Sequence, residues 1–235
     1  MSKSHILKLN DNQIASGSAD NSIKIWDLLN QICTGTLNGH SSYVTFLILL
    51  RENTIASSSR DKTIKTWNYS TNQCLNTLNG HSEAVYSIAL ISGNKIASGS
   101  GDKTLKIWNV DNGNCLNTIV GHTKSVYCIL KTKENELVSG CDDYLLRVWN
   151  IDTKECKKTL NGHTGAIRSL ANIKLDIIAS GSEDKSIKIW NMVNGVCLKT
   201  LTGHTDGVYS LVELNEQQIV SGSGDTSIRV WNLNL

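Results

Sequence analysis

Serine, histidine and aspartate recur together along this chain in a way that invites a nucleophile-chemistry reading. In Ser57, His40 and Asp61, for example, a hydroxyl, an imidazole and a carboxylate are available for acyl transfer, the combination that hydrolases use. The grouping returns as Ser98, His81 and Asp102, as Ser139, His122 and Asp143, as Ser180, His163 and Asp184, and as Ser221, His204 and Asp225. A catalytic constellation is built once, whereas this one is built in segment after segment. These residues therefore read as framework, and no catalytic residue is assigned. Neither C-x-x-C nor H-x-x-x-H spacing occurs, and no G-x-x-x-x-G-K loop is present to cradle a phosphate. No metal and no cofactor is expected.

The elements that position these residues follow from a strict repeat. Trp26, Trp67, Trp108, Trp149, Trp190 and Trp231 are separated by intervals of 41 residues. Asp20, Asp61, Asp102, Asp143, Asp184 and Asp225 keep the same period, as do the Gly-His pairs ending at His40, His81, His122, His163 and His204. A period near 40 marks a repeat architecture, so one unit specifies the whole fold. Between His81 and His122 lie four short segments rich in β-branched and aliphatic residues, Ala84–Leu90, Lys95–Ser100, Thr104–Asn109 and Cys115–Ile119. Gly-, Asn- and Asp-containing turns separate them, and none shows helical periodicity over a helix length. Each unit is thus a sheet of four strands, a to d. Such a sheet cannot bury both faces alone; stacking the sheets radially does so and makes a propeller. Cys33, Cys74, Cys115, Cys156 and Cys197 occupy one position of strand d. Facing sheets lie about 10 Å apart, beyond the roughly 7 Å that a disulfide tolerates between Cα atoms, so thiols are expected.

The order Gly-His, strand, Ser-Gly-Ser-x-Asp turn and Ile-Lys-Ile-Trp-Asn resembles the WD40 repeat across essentially the whole chain. Only Trp26-Asp27 is literally Trp-Asp; the other five copies carry Asn. Ser58 replaces a glycine of the other copies, and Cys141 a serine. The expected fold is all-β: a β-propeller of six four-stranded antiparallel blades forming one domain over 1–235, with blades near 1–38, 39–79, 80–120, 121–161, 162–202 and 203–235. The resemblance implies a hydrogen-bonded set of four within each blade, and five such sets are complete: His40-Ser57-Asp61-Trp67, His81-Ser98-Asp102-Trp108, His122-Ser139-Asp143-Trp149, His163-Ser180-Asp184-Trp190 and His204-Ser221-Asp225-Trp231. That employs five of the six histidines; His5 has no partner pattern.

Six units of 41 residues need 246, and the chain has 235. The 11 missing positions correspond to residues 31–41, one strand d and one Gly-His loop. The first blade therefore lacks its histidine, and the last blade lacks its outer strand. Its strand c, Ser227–Asn232, is left as an open edge, and the first strand is expected at Ser4–Leu9. Two readings stand open, a six-bladed ring with an open seam and a fragment of a seven-bladed propeller.

The resemblance also implies partner docking on the face made by the d–a and b–c loops. Three positions per repeat point there: three and five residues after the histidine, and the residue before the turn aspartate. The proposed protein-binding residues are Tyr43, Arg60, Tyr86, Tyr127, Asp142, Arg168, Glu183 and Tyr209, types that include the Tyr and Arg enriched in binding hot spots. The alternative for the tyrosines is that they fill space between blades. Lys24, Lys65, Lys106, Arg147, Lys188 and Arg229 stand two residues before each Trp, on the side of the indole, where stem packing or cation–π contact is expected in preference to a nucleic-acid grip.

Net charge is +2 from 23 basic and 21 acidic residues, well mixed, which gives no electrostatic case for nucleic acid or an anionic membrane. The longest apolar run, Val44 to Leu50, is far short of a membrane helix. The N-terminal residues show no apolar signal segment, and seven cysteines, an odd number with five at equivalent repeat positions, favour a reducing, cytoplasmic setting. The leading expectation is a non-catalytic scaffold or adaptor for a protein or peptide partner, within a larger multiprotein complex. The alternative is a small-molecule-binding or enzymatic propeller using its central channel. That alternative needs acidic or metal-binding residues breaking the repeat symmetry, and none is evident in the sequence.

Overall fold

The computed structural model describes residues 5–234 of the chain. Ser4, the expected start of the first strand, lies outside the described residues. Among those residues there are 23 strands and no helix. The chain divides into two compact units, Met1–Val120 and Gly121–Leu235.

The first unit holds three sheets. Blade 1 is β1 (His5–Lys8), β2 (Gln13–Gly17), β3 (Ile23–Asp27) and β4 (Ile32–Leu37). Blade 2 is β5 (Val44–Arg51), β6 (Thr54–Ser59), β7 (Ile64–Asn68) and β8 (Gln73–Leu78). Blade 3 is β9 (Val85–Ser92), β10 (Lys95–Ser100), β11 (Leu105–Asn109) and β12 (Cys115–Ile119). In the second unit, blade 4 is β13 (Val126–Lys133), β14 (Glu136–Cys141), β15 (Leu146–Asn150) and β16 (Cys156–Leu160). Blade 5 is β17 (Ile167–Lys174), β18 (Ile177–Ser182), β19 (Ile187–Asn191) and β20 (Cys197–Leu201). Blade 6 has three strands, β21 (Val208–Asn215), β22 (Gln218–Ser223) and β23 (Ile228–Asn232). Each sheet is antiparallel and runs in chain order, so the fold is an all-β propeller of six blades whose last blade lacks its fourth strand.

Burial follows the two-residue period of a strand. In β11, Leu105 and Ile107 are buried while Lys106 between them is not. The second strand of blades 2, 3 and 5 is buried along almost its whole length, because it has strands on both edges and a blade against its face. Ile187 and Ile189 of blade 5 pack with Val208, Leu211 and Ile219 of blade 6, and Ile23 and Ile25 of blade 1 pack with Val44 and Leu47 of blade 2. The glycine in the second strand marks this close approach. A Cβ on Gly17, Gly140 or Gly181 would lie 2.6–2.7 Å from Val44, Ile167 or Val208 of the following blade. Ser58 departs from that rule, and its hydroxyl is held 2.9 Å from Thr45 Oγ1.

The b–c turn is fixed by its aspartate. Asp61 Oδ1 accepts from the Thr63 N–H (2.9 Å) and hydroxyl (2.7 Å), which holds Lys62 between them at φ 74°. Asn21, Lys103, Tyr144, Lys185 and Thr226 take the same left-handed conformation one repeat apart. Side chains there carry a backbone cost that the aspartate's local hydrogen bonds offset. In blade 4, Cys141 does the work of the missing serine: its thiol donates to Lys124 O (3.3 Å) and its sulfur accepts from Asp143 N (3.4 Å), as Ser59 does with Ser42 and Asp61.

Candidate functional site

Four blades carry the same buried relay. In blade 2, Trp67 Nε1 donates to Ser57 Oγ (2.8 Å), Ser57 Oγ lies 2.7 Å from His40 Nε2, and His40 Nδ1 lies 2.6 Å from Asp61 Oδ2. A carboxylate only accepts, so Nδ1 carries the proton and Nε2 accepts the serine hydrogen. Blades 3, 5 and 6 repeat this with His–Asp distances of 2.7, 2.6 and 2.7 Å and His–Ser distances of 2.7 Å. Asp61 Oδ2 also accepts from Ser41 N (3.1 Å), so one carboxylate ties the b–c turn to the d–a loop.

The distances are those of a hydrolytic triad, but the surroundings are not. Ser57, Ser98, Ser139, Ser180 and Ser221 are all 0% exposed, and each hydroxyl oxygen already accepts from a tryptophan. A substrate carbonyl cannot reach such an oxygen, so the sets act as fastenings. Burial pulls His40 below the ordinary imidazole range despite Asp61, so it is neutral at pH 7. Burial alone would raise Asp61; hydrogen bonds from Thr63 and His40 more than offset it and hold the carboxyl below its usual range.

Blade 1 and blade 4 depart from the pattern. In blade 1, Trp26 donates to Ser16 (2.8 Å) and Asp20 holds Ser22, and the sequence has no Gly-His pair before them. His5 packs its ring 3.8 Å from Phe46 and accepts from Leu47 N (3.3 Å), a partnership between blades 1 and 2 that the sequence pattern does not signal. In blade 4, His122 keeps Ser139 (2.6 Å) and Trp149 keeps Ser139 (2.7 Å), but His122 Nδ1 stands 3.6 Å from Asp143. Arg147 Nη1 donates to Asp143 Oδ2 (2.7 Å) and to His122 Nδ1 (2.5 Å). Leu145 explains the change. It stands where the other four relay-bearing blades have Thr63, Thr104, Ser186 and Ser227, whose hydroxyls donate to the aspartate. The guanidinium replaces that donor, and accepting from it makes His122 Nδ1 the bare nitrogen. In blades 2, 3 and 5 the cation of this position turns to strand d instead, with Lys65, Lys106 and Lys188 donating to Thr77, Thr118 and Thr200 at 2.8–2.9 Å.

His122, Cys141 and Asp143 bring their ligand-type atoms within 4.8 Å of one another. The group does not suit a cation, because the Arg147 guanidinium already neutralises Asp143 and burial pushes the Cys141 thiol up to about 12. All seven cysteines are free thiols.

The eight proposed contact residues lie at the loop end of the blades. Backbone bonds Arg60 N to Tyr43 O, Gly101 N to Ala84 O, Asp142 N to Ser125 O, Glu183 N to Ala166 O and Gly224 N to Gly207 O, all 2.9 Å, tie the two loops of each blade together. In the first unit, the Arg60 guanidinium lies 5.2 Å from the ring centre of Tyr43, and both residues are exposed. Tyr86 is half-buried against Gly101. In the second unit, Arg168 stacks 3.5 Å above the Tyr127 ring and donates twice to Glu183 Oε1, from Nε (2.9 Å) and Nη2 (2.6 Å). Tyr209 lies over Gly207 and Gly224, and burial together with Glu183 and Asp206 raises its phenol pKa. Asp142 is half-buried in its turn.

Sequence reasoning missed a pairing here. In blades 3, 5 and 6 the residue five after the histidine and the residue before the aspartate are matched, Tyr86 and Tyr209 with the glycines Gly101 and Gly224, and Arg168 with Glu183. There the glycine leaves room for the tyrosine ring and the carboxylate takes the arginine; blade 4, with Tyr127 and Asp142, does not follow this pairing.

Comparison with known proteins follows the same lines. The profile of the WD domain, G-beta repeat family matches residues 3–27, 31–68, 72–109, 113–150, 154–191 and 195–232. The comparison with curated proteins returned no match. The crystal structure of the computationally designed Ika8 protein is similar at a TM-score of 0.82 and 35% identity, over 97% of this chain and 70% of that one. The crystal structure of the WD40 beta propeller domain of Doa1 superposes at a TM-score of 0.85 and 24% identity, over 96% of this chain and 77% of that one, which speaks to fold alone. Six matched repeats, the first covering β1 to β3 and each later one running from the fourth strand of one blade through the first three strands of the next, show that the chain belongs to the WD40-repeat family of β-propellers.

Proposed function

We propose that the chain is a non-catalytic scaffold or adaptor that binds a protein or peptide partner at the loop end of its blades. The observation that carries this reading is the contrast within blade 5. His163, Ser180, Asp184 and Trp190 are buried and repeated, whereas Arg168 and Glu183 above them keep side-chain exposures of 25% and 37% and differ from every other blade. The stacked Tyr127–Arg168–Glu183 group is rigid, amphipathic and partly solvated, properties of interface anchors. Tyr43 with Arg60 is a second such group in the first unit. A partner segment with both polar and apolar side chains matches them, and the near-neutral charge gives no preference for nucleic acid or an anionic membrane. A cytoplasmic setting, where seven thiols stay reduced, and membership of a multiprotein complex belong to the same proposal.

The test is affinity capture from the native cell with the wild type and with a Tyr127→Ala/Arg168→Ala/Tyr209→Ala variant, thermal melts confirming that both are folded. Loss of specific proteins from the variant's capture is the expected result. Capture of the same proteins by both would refute the proposed face.

A further inference from the structure

The junction of blades 4 and 5, wholly within the second unit, is filled differently from its counterparts. Near the end of the first strand, blades 1, 2 and 5 carry Leu9, Leu50 and Ile173, and each packs into the apolar cluster shared with the next blade. Blade 4 has Thr132 there. Its hydroxyl turns to Glu136 Oε1 (3.0 Å), and a cavity of about 280 Å³ bordered by Thr132 lies between the two blades. Ile178 and Met192 of blade 5, 1% and 5% exposed, form its apolar floor.

Two more departures from the repeat meet at the same cleft. The first residue of the a–b turn is Asp11, Glu52, Gly93, Glu134 and Glu216 in the other copies but Leu175 here, and it is 82% exposed. The next residue is Asn12, Asn53, Asn94, Asn135 and Gln217 elsewhere but Asp176 here, and its carboxylate pairs across the junction with Lys133 (2.5 Å). Drift would scatter such changes over the copies, whereas these three share one place.

Charge and size describe what the cleft can hold. Lys133, Lys174 and Asp176 line it, and Glu134 does not. Asp176 takes the charge of Lys133, and Lys157 pairs with Glu136 (3.7 Å). Lys158 holds its ammonium on the carbonyl of Met192 (2.9 Å). Among the described residues no carboxylate pairs with Lys158 or with the half-buried Lys174, so the mouth attracts an anion. Sites for drug-sized ligands run from roughly 300 to 1,000 Å³. The smaller cavity here suits one side chain, and Leu175 extends the apolar contact beyond its mouth.

We propose that this cleft, at the end of blades 4 and 5 opposite the relay loops, is a second protein-binding site and takes an acidic segment of a partner. One leucine-sized side chain enters over Ile178 and Met192, and a neighbouring carboxylate pairs with Lys174.

Methionine-methyl NMR of the full chain tests this, because its two methionines are Met1 and Met192 and the second lies in the cavity floor. The probe is a dodecapeptide with one leucine between glutamates; its controls carry lysines for the glutamates, or alanine for the leucine. The acidic peptide is expected to shift the Met192 signal saturably at millimolar concentration or below, and each control to bind about tenfold more weakly. Lys174→Glu weakens the acidic peptide by a similar factor and melts near wild type. Thr132→Ile restores the filling of the other junctions, so it melts no lower than wild type and ceases to respond. Arg168→Ala keeps the response, since that residue lies at the other end of its blade. An unresponsive Met192 signal, equal binding of the lysine peptide or full binding by a folded Thr132→Ile chain overturns the proposal. So does N-acetyl-leucine that binds as tightly as the peptide, which would make the cleft a small-molecule site.

Discussion

In blade 5 the carboxylate of Asp184 accepts from His163, from Ser186 and from two backbone N–H groups. In blade 4 the same carboxylate position, Asp143, is met by Arg147, and His122 has moved to 3.6 Å. Both blades keep the tryptophan–serine–histidine end of the relay within 0.1 Å. What differs is the proton: in blade 5 it sits on Nδ1 of the histidine, and in blade 4 on Nε2, because Arg147 fills Nδ1. A buried network thus tolerates the loss of one donor when a second position restores the count. Leu145 and Arg147 are one exchange seen at two sites.

The largest effect expected from breaking this comparison is at the aspartates. Asp143→Ala leaves a guanidinium only 12% exposed without its counter-ion and costs about 3–5 kcal/mol in denaturant unfolding, more than Asp184→Ala. Equal losses would mean that Arg147 is solvated in solution. His163→Ala takes away the acceptor of the Ser180 hydroxyl hydrogen and one donor to Asp184 and costs about 2–3 kcal/mol, whereas His122→Ala costs less because Asp143 keeps Arg147. The same unfolding curves decide the order, and unchanged stability in both variants would count against the sets as fastenings.

Acid tests the buried imidazoles of blades 2 and 4. Burial lowers His40 and His122, so the unfolded chain binds protons near the ordinary imidazole value of about 6.5 that the folded chain refuses. Stability is therefore greatest above that value and falls as pH drops through it. It falls again below about 4, where Asp61 and its equivalents are held ionised in the fold. Melting temperature against pH should decline from 7 to 5, and a flat line there contradicts neutral buried imidazoles. The smallest effect belongs to Arg147→Lys, within about 1 kcal/mol. Its signature is the histidine ¹⁵N spectrum, where His122 of the wild type carries the Nε2 proton, as does His5, which accepts at Nδ1, and the relay histidines of the other four blades carry Nδ1.

Much of the fold was legible because the period labels every strand. The readings Lys95–Ser100 and Cys115–Ile119 coincide with β10 and β12, while β9 runs on to Ser92 and β11 starts at Leu105. The b–c turn was equally plain from its periodic aspartate, which caps the bend in blade 4 as well, where Leu145 follows it in place of Thr or Ser. The pairing of Arg168 with Glu183, of Tyr209 with its glycines, and of Leu145 with Arg147 was not legible. Each joins positions that look like independent drift along the chain and become neighbours only when the loops are tied together. His5 escaped for the same reason, its partner Phe46 lying one blade away.

The most direct measurement compares two substitutions within blade 5, Ser180→Ala beneath and Arg168→Ala above, scoring partner capture per mole of folded protein beside the melting temperature. Ser180→Ala is predicted to lower the melting temperature and leave capture intact, and Arg168→Ala to do the reverse. A Ser180→Ala protein that melts like wild type yet captures nothing, or an Arg168→Ala protein that captures everything, would contradict the division between fastening and binding surface.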